Sequence, residues 1–226
     1  MKTTVAPLLA AFTLGLTACA TTLSGPAPSP APGGTSPTTS APARLDVAQA
    51  ERLKRVMAPL NQASDHKRPL SQVKVGLIDD DHVNAASAGD GEFVVTTGLL
   101  KKANDQQLAG VLAHEIAHDD LGHVAKAERL QTGLTIGMVI LDQIIPGSGQ
   151  LTPAAGALIT RAYSRKEEYE ADAHGAQILE RAGYPRTVME DTLTWLLQTE
   201  GASGGGFFAT HPATDDRIAA LRNATH

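Results

Sequence analysis

Apolar residues recur along the chain at two spacings, and the change from one to the other marks out the elements. Between Arg44 and Gln62, the residues Leu45, Leu53, Val56, Met57 and Leu60 share one helical face, which predicts a first amphipathic helix. Val73, Val75 and Leu77 alternate and predict a short strand. It ends in Asp79-Asp80-Asp81-His82; four consecutive polar residues cannot all point one way from a strand end, so a solvated turn is expected there rather than a metal cluster. Asn84 to Gly91 reads as a loop of small residues, and Glu92-Phe93-Val94-Val95-Thr96 as a second strand ended by Gly98. A helix starts at Asn104, with Gln107 three residues later in the pattern of a capping box, and Leu108, Val111, Leu112 and Ile116 form its core side. Leu134 to Ile145 is expected to be a buried helix, with membrane or substrate contact as the second reading. Arg161 to Arg181 reads as another helix closed by Gly183, and Thr187 to Gln198 as a further one before the glycine-rich stretch Gly201–Gly206. Asp215 to Arg222 is the last. The expected fold class is mainly α with a small β-sheet, an α+β domain without internal repeats.

Composition narrows the class. The chain has 226 residues, enough for one ordinary domain and a tail. Its net charge of −5 lacks the basic excess of a nucleic-acid binder, and a single cysteine excludes a disulfide scaffold or a Cys-rich zinc finger. No apolar run reaches the roughly 18 residues of a membrane span. Lys2 followed by the apolar stretch Val5 to Leu16 has the layout of a secretory signal. The boundary Leu16-Thr17-Ala18-Cys19 resembles the bacterial lipobox, which implies removal of residues 1–18 and lipidation of Cys19; ordinary cleavage after Ala18-Cys19-Ala20 is the alternative. Residues 19–43 are almost wholly Ala, Pro, Ser, Thr and Gly, without a charge, and cannot bury enough surface to offset their ordering entropy. They are expected to be a flexible tether. The folded domain is expected over residues 44–226.

The chemistry is concentrated in His114-Glu115-Ile116-Ala117-His118. Two histidines four apart lie about 40° apart around a helix, so both rings can reach one ion, and Glu115 then sits where it can act as general base on a bound water. A catalytic zinc site needs a third protein ligand. His123 falls about 140° around a continued helix from His118, which argues against it. The better candidates lie downstream in Ser164-Arg165-Lys166-Glu167-Glu168-Tyr169-Glu170-Ala171-Asp172, where Glu168 and Asp172 share a helix face. One of the two can bind the ion while the other accepts the N–H of a ligand histidine. Glu167 and Glu170 point elsewhere.

Together, the H-E-I-A-H and S-R-x-x-E-x-E-A-D motifs resemble the HtpX/BepA type of zinc metallopeptidase, the family that includes the CAAX prenyl endopeptidase. The resemblance extends through Asn84-Ala85, the run Val94-Val95-Thr96-Thr97-Gly98-Leu99, and Thr210-His211-Pro212 with Arg217. It implies a zincin-like fold, one zinc ion held by His114, His118 and Glu168, and Glu115 as catalytic base; of the two carboxylates on the shared face, that leaves Asp172 the outer role. It also implies a small sheet with a substrate-binding edge strand, assigned here to Phe93, Val94, Val95 and Thr96. The multi-span helices of HtpX-like members are absent, so the chain resembles the periplasmic branch, linked to outer-membrane protein quality control.

The expected function is a zinc endopeptidase, lipid-anchored at the periplasmic face of the outer membrane of a Gram-negative cell, that cleaves unfolded or misassembled envelope proteins. Its expected partners are such substrates and the outer-membrane assembly machinery, with membrane contact through the lipid alone and no nucleic acid. The alternative is a chaperone-like binding module in which zinc is structural. By the same resemblance His211 is expected to occupy the open metal position at rest, and His211 or Arg217 to stabilise the oxyanion once that position opens.

Overall fold

The chain is described from a computed structural model, which covers residues 47–123, 137–140, 162–201, 206–212 and 215–225. The signal segment, Cys19 and the tether lie outside the described residues. Helix α1 spans Val47–Ala63 and buries Leu53, Val56, Met57 and Leu60, the face that the sequence pattern marked. A four-stranded mixed sheet follows, in the order β2-β3-β1-β4: β1 is Lys74–Ile78, β2 Ala85–Gly89, β3 Glu92–Thr96 and β4 Gly137–Ile140. β1 runs parallel to β3 and antiparallel to β4, and β2 runs antiparallel to β3.

Three expectations are corrected here. Ala85–Gly89 is a strand rather than a loop; its small residues carry little β-propensity, and the readable signal was the Asp90-Gly91 pair, whose positive φ values of 53° and 77° close a tight hairpin. Within the apolar stretch 134–145, residues Gly137–Ile140 form β4 rather than a buried helix, and the rest of that stretch lies outside the described residues. A four-residue apolar run between breakers satisfies either period. Finally, β3 is an inner strand, flanked by β1 and β2, so Phe93–Thr96 has no free edge; the edge strand beside the helix that carries His114 and His118 is β2.

The remaining helices are α2 (Thr97–Lys102), α3 (Asp105–Asp120), α4 (Arg165–Arg181), α5 (Val188–Glu200), α6 (Phe207–Thr210) and α7 (Asp215–Thr225). No helix among the described residues is long and apolar enough to cross a membrane. α3 is the central element. Its N-terminus is closed by a full capping box, the Asn104 side chain accepting from Gln107 N–H and Gln107 Oε1 from Asn104 N–H, and every residue from Leu108 to His118 is buried. Gly110 lets α5 approach: a Cβ there would stand 2.0 Å from Thr192 Oγ1. α4 has its own capping box between Ser164 and Glu167, which sets the register that turns Glu168 and Asp172 inward. Against the sheet, α3 is fastened by two carboxylates one turn apart. Glu115 Oε2 accepts from the Ser87 N–H of β2 at 2.9 Å, and Asp119 accepts from the N–H groups of Asp90 and Gly91 in the hairpin turn.

Candidate metal centre

Two adjacent helices and one short turn bring four donors into a buried cluster. His114 and His118 come from α3, Glu168 from α4, and His211 from the residue that ends α6; all four are buried, and one ligand atom from each lies within 4.8 Å of the others. His114 Nε2 is 3.0 Å from His118 Nε2 and 3.3 Å from His211 Nδ1. Glu168 Oε1 is 3.0 Å from His211 Nδ1 and 3.4 Å from His118 Nε2, and Glu168 Oε2 is 3.6 Å from His114 Nε2. A tetrahedron with the 2.0–2.1 Å bonds typical of zinc has edges of about 3.3 Å, close to these spacings, so the four donors could hold one metal ion between them. Nitrogen and carboxylate donors of this kind suit zinc or another divalent transition ion.

Electrostatics agree with a cation-binding cavity. Burial alone would raise Glu168, but His211, His114 and His118 hold it well below the usual carboxylate range. Burial pushes His118 down to about 2, which keeps its ring neutral and its lone pair available. His114 is moved the other way, to about 9: burial opposes its charge, but Asp172 and Glu168 favour it more strongly. For Glu115, desolvation dominates and raises the carboxyl. That group lies at the rim of the cluster, with Oε2 held by Ser87 N–H and Oε1 3.3 Å from His211 Nε2 without a hydrogen bond.

Asp172 takes the outer position expected for one of the α4 carboxylates, with Oδ1 3.1 Å from His114 Nδ1, an ion-pair contact rather than an aligned hydrogen bond. Arg217 differs from the expectation. Rather than facing space in which an oxyanion would form, its buried guanidinium forks onto Asp172 through Nε and Nη2, and Nη1 reaches Glu168 Oε2 and the Pro212 carbonyl. It therefore lies behind Glu168 and Asp172, in the sense that its polar contacts are with those two carboxylates and Pro212. His123 stands outside the four-donor group, and Glu167 is spent on capping α4. The solvated turn at Asp79–His82 is as expected, the three aspartates lying on the surface.

Two aromatic residues at the cluster were not foreseen. Tyr163 stacks on His118 with ring centroids 3.8 Å apart, and Phe207 stacks on His211 at 4.1 Å. Phe207 is anchored to the strand region by its N–H to the Val83 carbonyl, and Tyr163 N–H bonds the Thr210 carbonyl, so the turn carrying His211 is tied on both sides. In a chain with four Phe and three Tyr, the aromatics next to the S-R-x-x-E motif and ahead of T-H-P were the available signal.

Comparison with known proteins agrees with the motifs. The model of peptidase family M48 matches residues 47–225. The chain is 31% identical over 161 residues to the β-barrel assembly-enhancing protease of Escherichia coli K12, covering 65% of this chain and 33% of that protein, so it spans about a third of that relative's length. It is 30% identical over 198 residues to the protease HtpX homolog of Methylibium petroleiphilum, covering 69% of each chain. With the HtpX homolog of Burkholderia mallei it shares 29% over 220 residues, 78% of this chain and 75% of the other. A family match that takes in every helix and strand described above, with the buried histidine–glutamate cluster at its centre, establishes that this chain belongs to peptidase family M48.

Proposed function

We propose that the chain is a zinc-dependent endopeptidase that is exported, lipidated at Cys19 and held at the periplasmic face of the outer membrane, where it cleaves unfolded or misassembled envelope proteins. The observation that carries the catalytic reading is the buried four-donor cluster, with the Glu115 carboxylate at its rim. His114, His118 and Glu168 are the three protein ligands of the working enzyme, and His211 fills the fourth position at rest. A zinc ion held there would polarise the scissile carbonyl and acidify a bound water. Glu115 is the general base: Ser87 N–H holds its Oε2 in place, and Oε1 is the atom that would take a proton from an attacking water and pass it to the leaving amine. Asp172 and Arg217 orient His114 and Glu168 from behind.

Substrate is proposed to add to the outer edge of β2, which runs beside α3. Main-chain pairing tolerates many sequences and demands an extended partner, so selection falls on chains that have lost their fold. The name of the E. coli relative, a β-barrel assembly-enhancing protease, supports envelope quality control and contact with outer-membrane assembly factors. The lipobox-like Leu16-Thr17-Ala18-Cys19 supports the anchor. Incubating wild type and Glu115→Gln with unfolded casein tests the catalytic role. Cleavage by wild type and at least a hundredfold less by the variant is expected; equal cleavage by both would exclude Glu115 as the base, and zinc binding without any cleavage would favour the chaperone-like module.

A further inference from the structure

The last turn of α3 folds back on the metal cluster. Gly122, at φ +67°, and His123 form a Schellman closure: Gly122 N–H bonds the Asp119 carbonyl at 3.1 Å, and His123 N–H bonds the His118 carbonyl at 3.0 Å. This turn, rather than helical periodicity, decides where the His123 ring goes. It places His123 Nδ1 3.1 Å from His118 Nδ1, with ring centroids 5.2 Å apart. On its other side His123 Nε2 lies 3.3 Å from Glu170 Oε2, and Glu170 Oε1 lies 3.3 Å from Lys166 Nζ. The His123 side chain is about nine-tenths buried.

We propose that His123 is a positioning residue for the metal ligand His118, and that Glu170 in turn orients His123. The inference rests on the metal reading of the cluster. His118 Nε2 faces the other donors, so the proton of its neutral ring is on Nδ1, and among the described residues the Nδ1 lone pair of His123 lies within reach of that proton. Accepting there leaves the His123 proton on Nε2, directed at the Glu170 carboxylate. The line His118–His123–Glu170 is the counterpart of His114–Asp172–Arg217. Each ligand histidine therefore has its own outer partner, and α4 supplies a carboxylate to both lines, Glu170 and Asp172. Such partners fix the tautomer and ring angle of a ligand and raise its basicity.

Zinc affinity, measured on the purified full chain by competition with a chromophoric chelator, tests the proposal. Loss of an outer-shell partner costs about 10–100-fold in metal affinity, and His123→Ala is expected to fall in that range. His123→Asn, whose Oδ1 stands where Nδ1 was, should recover most of the loss. Glu170→Gln should weaken binding by a few fold in the wild-type background and not at all in His123→Ala. The cobalt-substituted His123→Ala protein should keep the band intensity of the wild-type coordination number. A His123→Ala affinity within twofold of wild type would overturn the proposal, as would an equal Glu170→Gln effect with and without His123. A drop in cobalt coordination number would make His123 a ligand instead. If His123→Ala does not fold, His123→Asn and Glu170→Gln decide, with a Glu170→Gln affinity equal to wild type as the overturning result. A wild-type chain that binds no zinc would sink the metal reading along with this one, whereas normal wild-type binding with an insensitive His123 removes only this inference.

Discussion

Arg217 meets Asp172 through two parallel hydrogen bonds, Nε to Oδ2 and Nη2 to Oδ1, each 2.7 Å long and fully buried. Asp172 Oδ1 is in turn 3.1 Å from His114 Nδ1, and Arg217 Nη1 also meets Glu168 Oε2, so α7 reaches the cluster by two routes. Burial opposes the ionised form of Asp172, but the guanidinium outweighs it and holds the carboxyl below its usual range. Removing one partner of such a pair leaves a buried charge uncompensated, which typically costs about 3–5 kcal/mol. Arg217→Ala is expected to lose stability of that order in urea unfolding. Arg217→Lys, which cannot make the fork, should fold but bind metal more weakly. An Arg217→Ala variant as stable as wild type would contradict this role.

His211 should restrain the enzyme at rest. A block that leaves about a tenth of the chains open would lower the observed rate about tenfold, so His211→Ala should raise casein cleavage by roughly that factor. A fall in rate would show that the histidine serves the transition state instead.

The helix that carries His114 and His118, and the helix that carries Glu168, were legible in the sequence because they depend on local geometry. The i, i+4 spacing puts His114 and His118 on one face, and the capping residues Asn104 and Ser164 fix where α3 and α4 begin. Glu168 and Asp172 follow from the same periodicity, although which of them faces the cluster depends on how α4 packs against α3. What was not legible depends on contacts distant in sequence. Tyr163 and Phe207 reach the cluster only because the turn at His211 is tied to both Val83 and Tyr163. His123 looked badly placed on a continued helix, but α3 ends at Asp120 and the Gly122 turn redirects it. β4 pairs with β1 across some sixty residues of chain, and a short apolar run carries no trace of its partner.

Gly110 marks the closest approach of α3 and α5. An added methyl group would collide with the buried, β-branched Thr192, and overpacking of this kind costs about 1–3 kcal/mol against at most about 1 kcal/mol gained in helix propensity. Gly110→Ala is therefore expected to be destabilised in thermal unfolding, and Gly110→Ala with Thr192→Ala less so. A single variant as stable as wild type would contradict the packing.

Asp120 joins the end of α3 to the segment after α1. Its carboxylate accepts from the N–H groups of Asp65 and His66 and from His174 Nε2. Burial resists ionisation there, but His174 and the two amides lower the carboxyl below its usual value of 3.8. A depressed folded-state value gives stability that is present above pH 3.8 and is lost as pH falls through the folded value. Asp120→Asn should cost about 1–3 kcal/mol at pH 7, and the gap to wild type should shrink below pH 3.8. A gap that stays constant down to pH 2 would contradict the assignment.

Every functional role proposed for the cluster residues requires a metal held by His114, His118 and Glu168. Zinc content per chain, determined after dialysis against zinc and then buffer, measures this directly. Wild type and Glu115→Gln should each retain close to one ion, and Glu168→Ala should lose it while remaining folded. Zinc retained by Glu168→Ala at the wild-type level, or absent from wild type, would contradict the account.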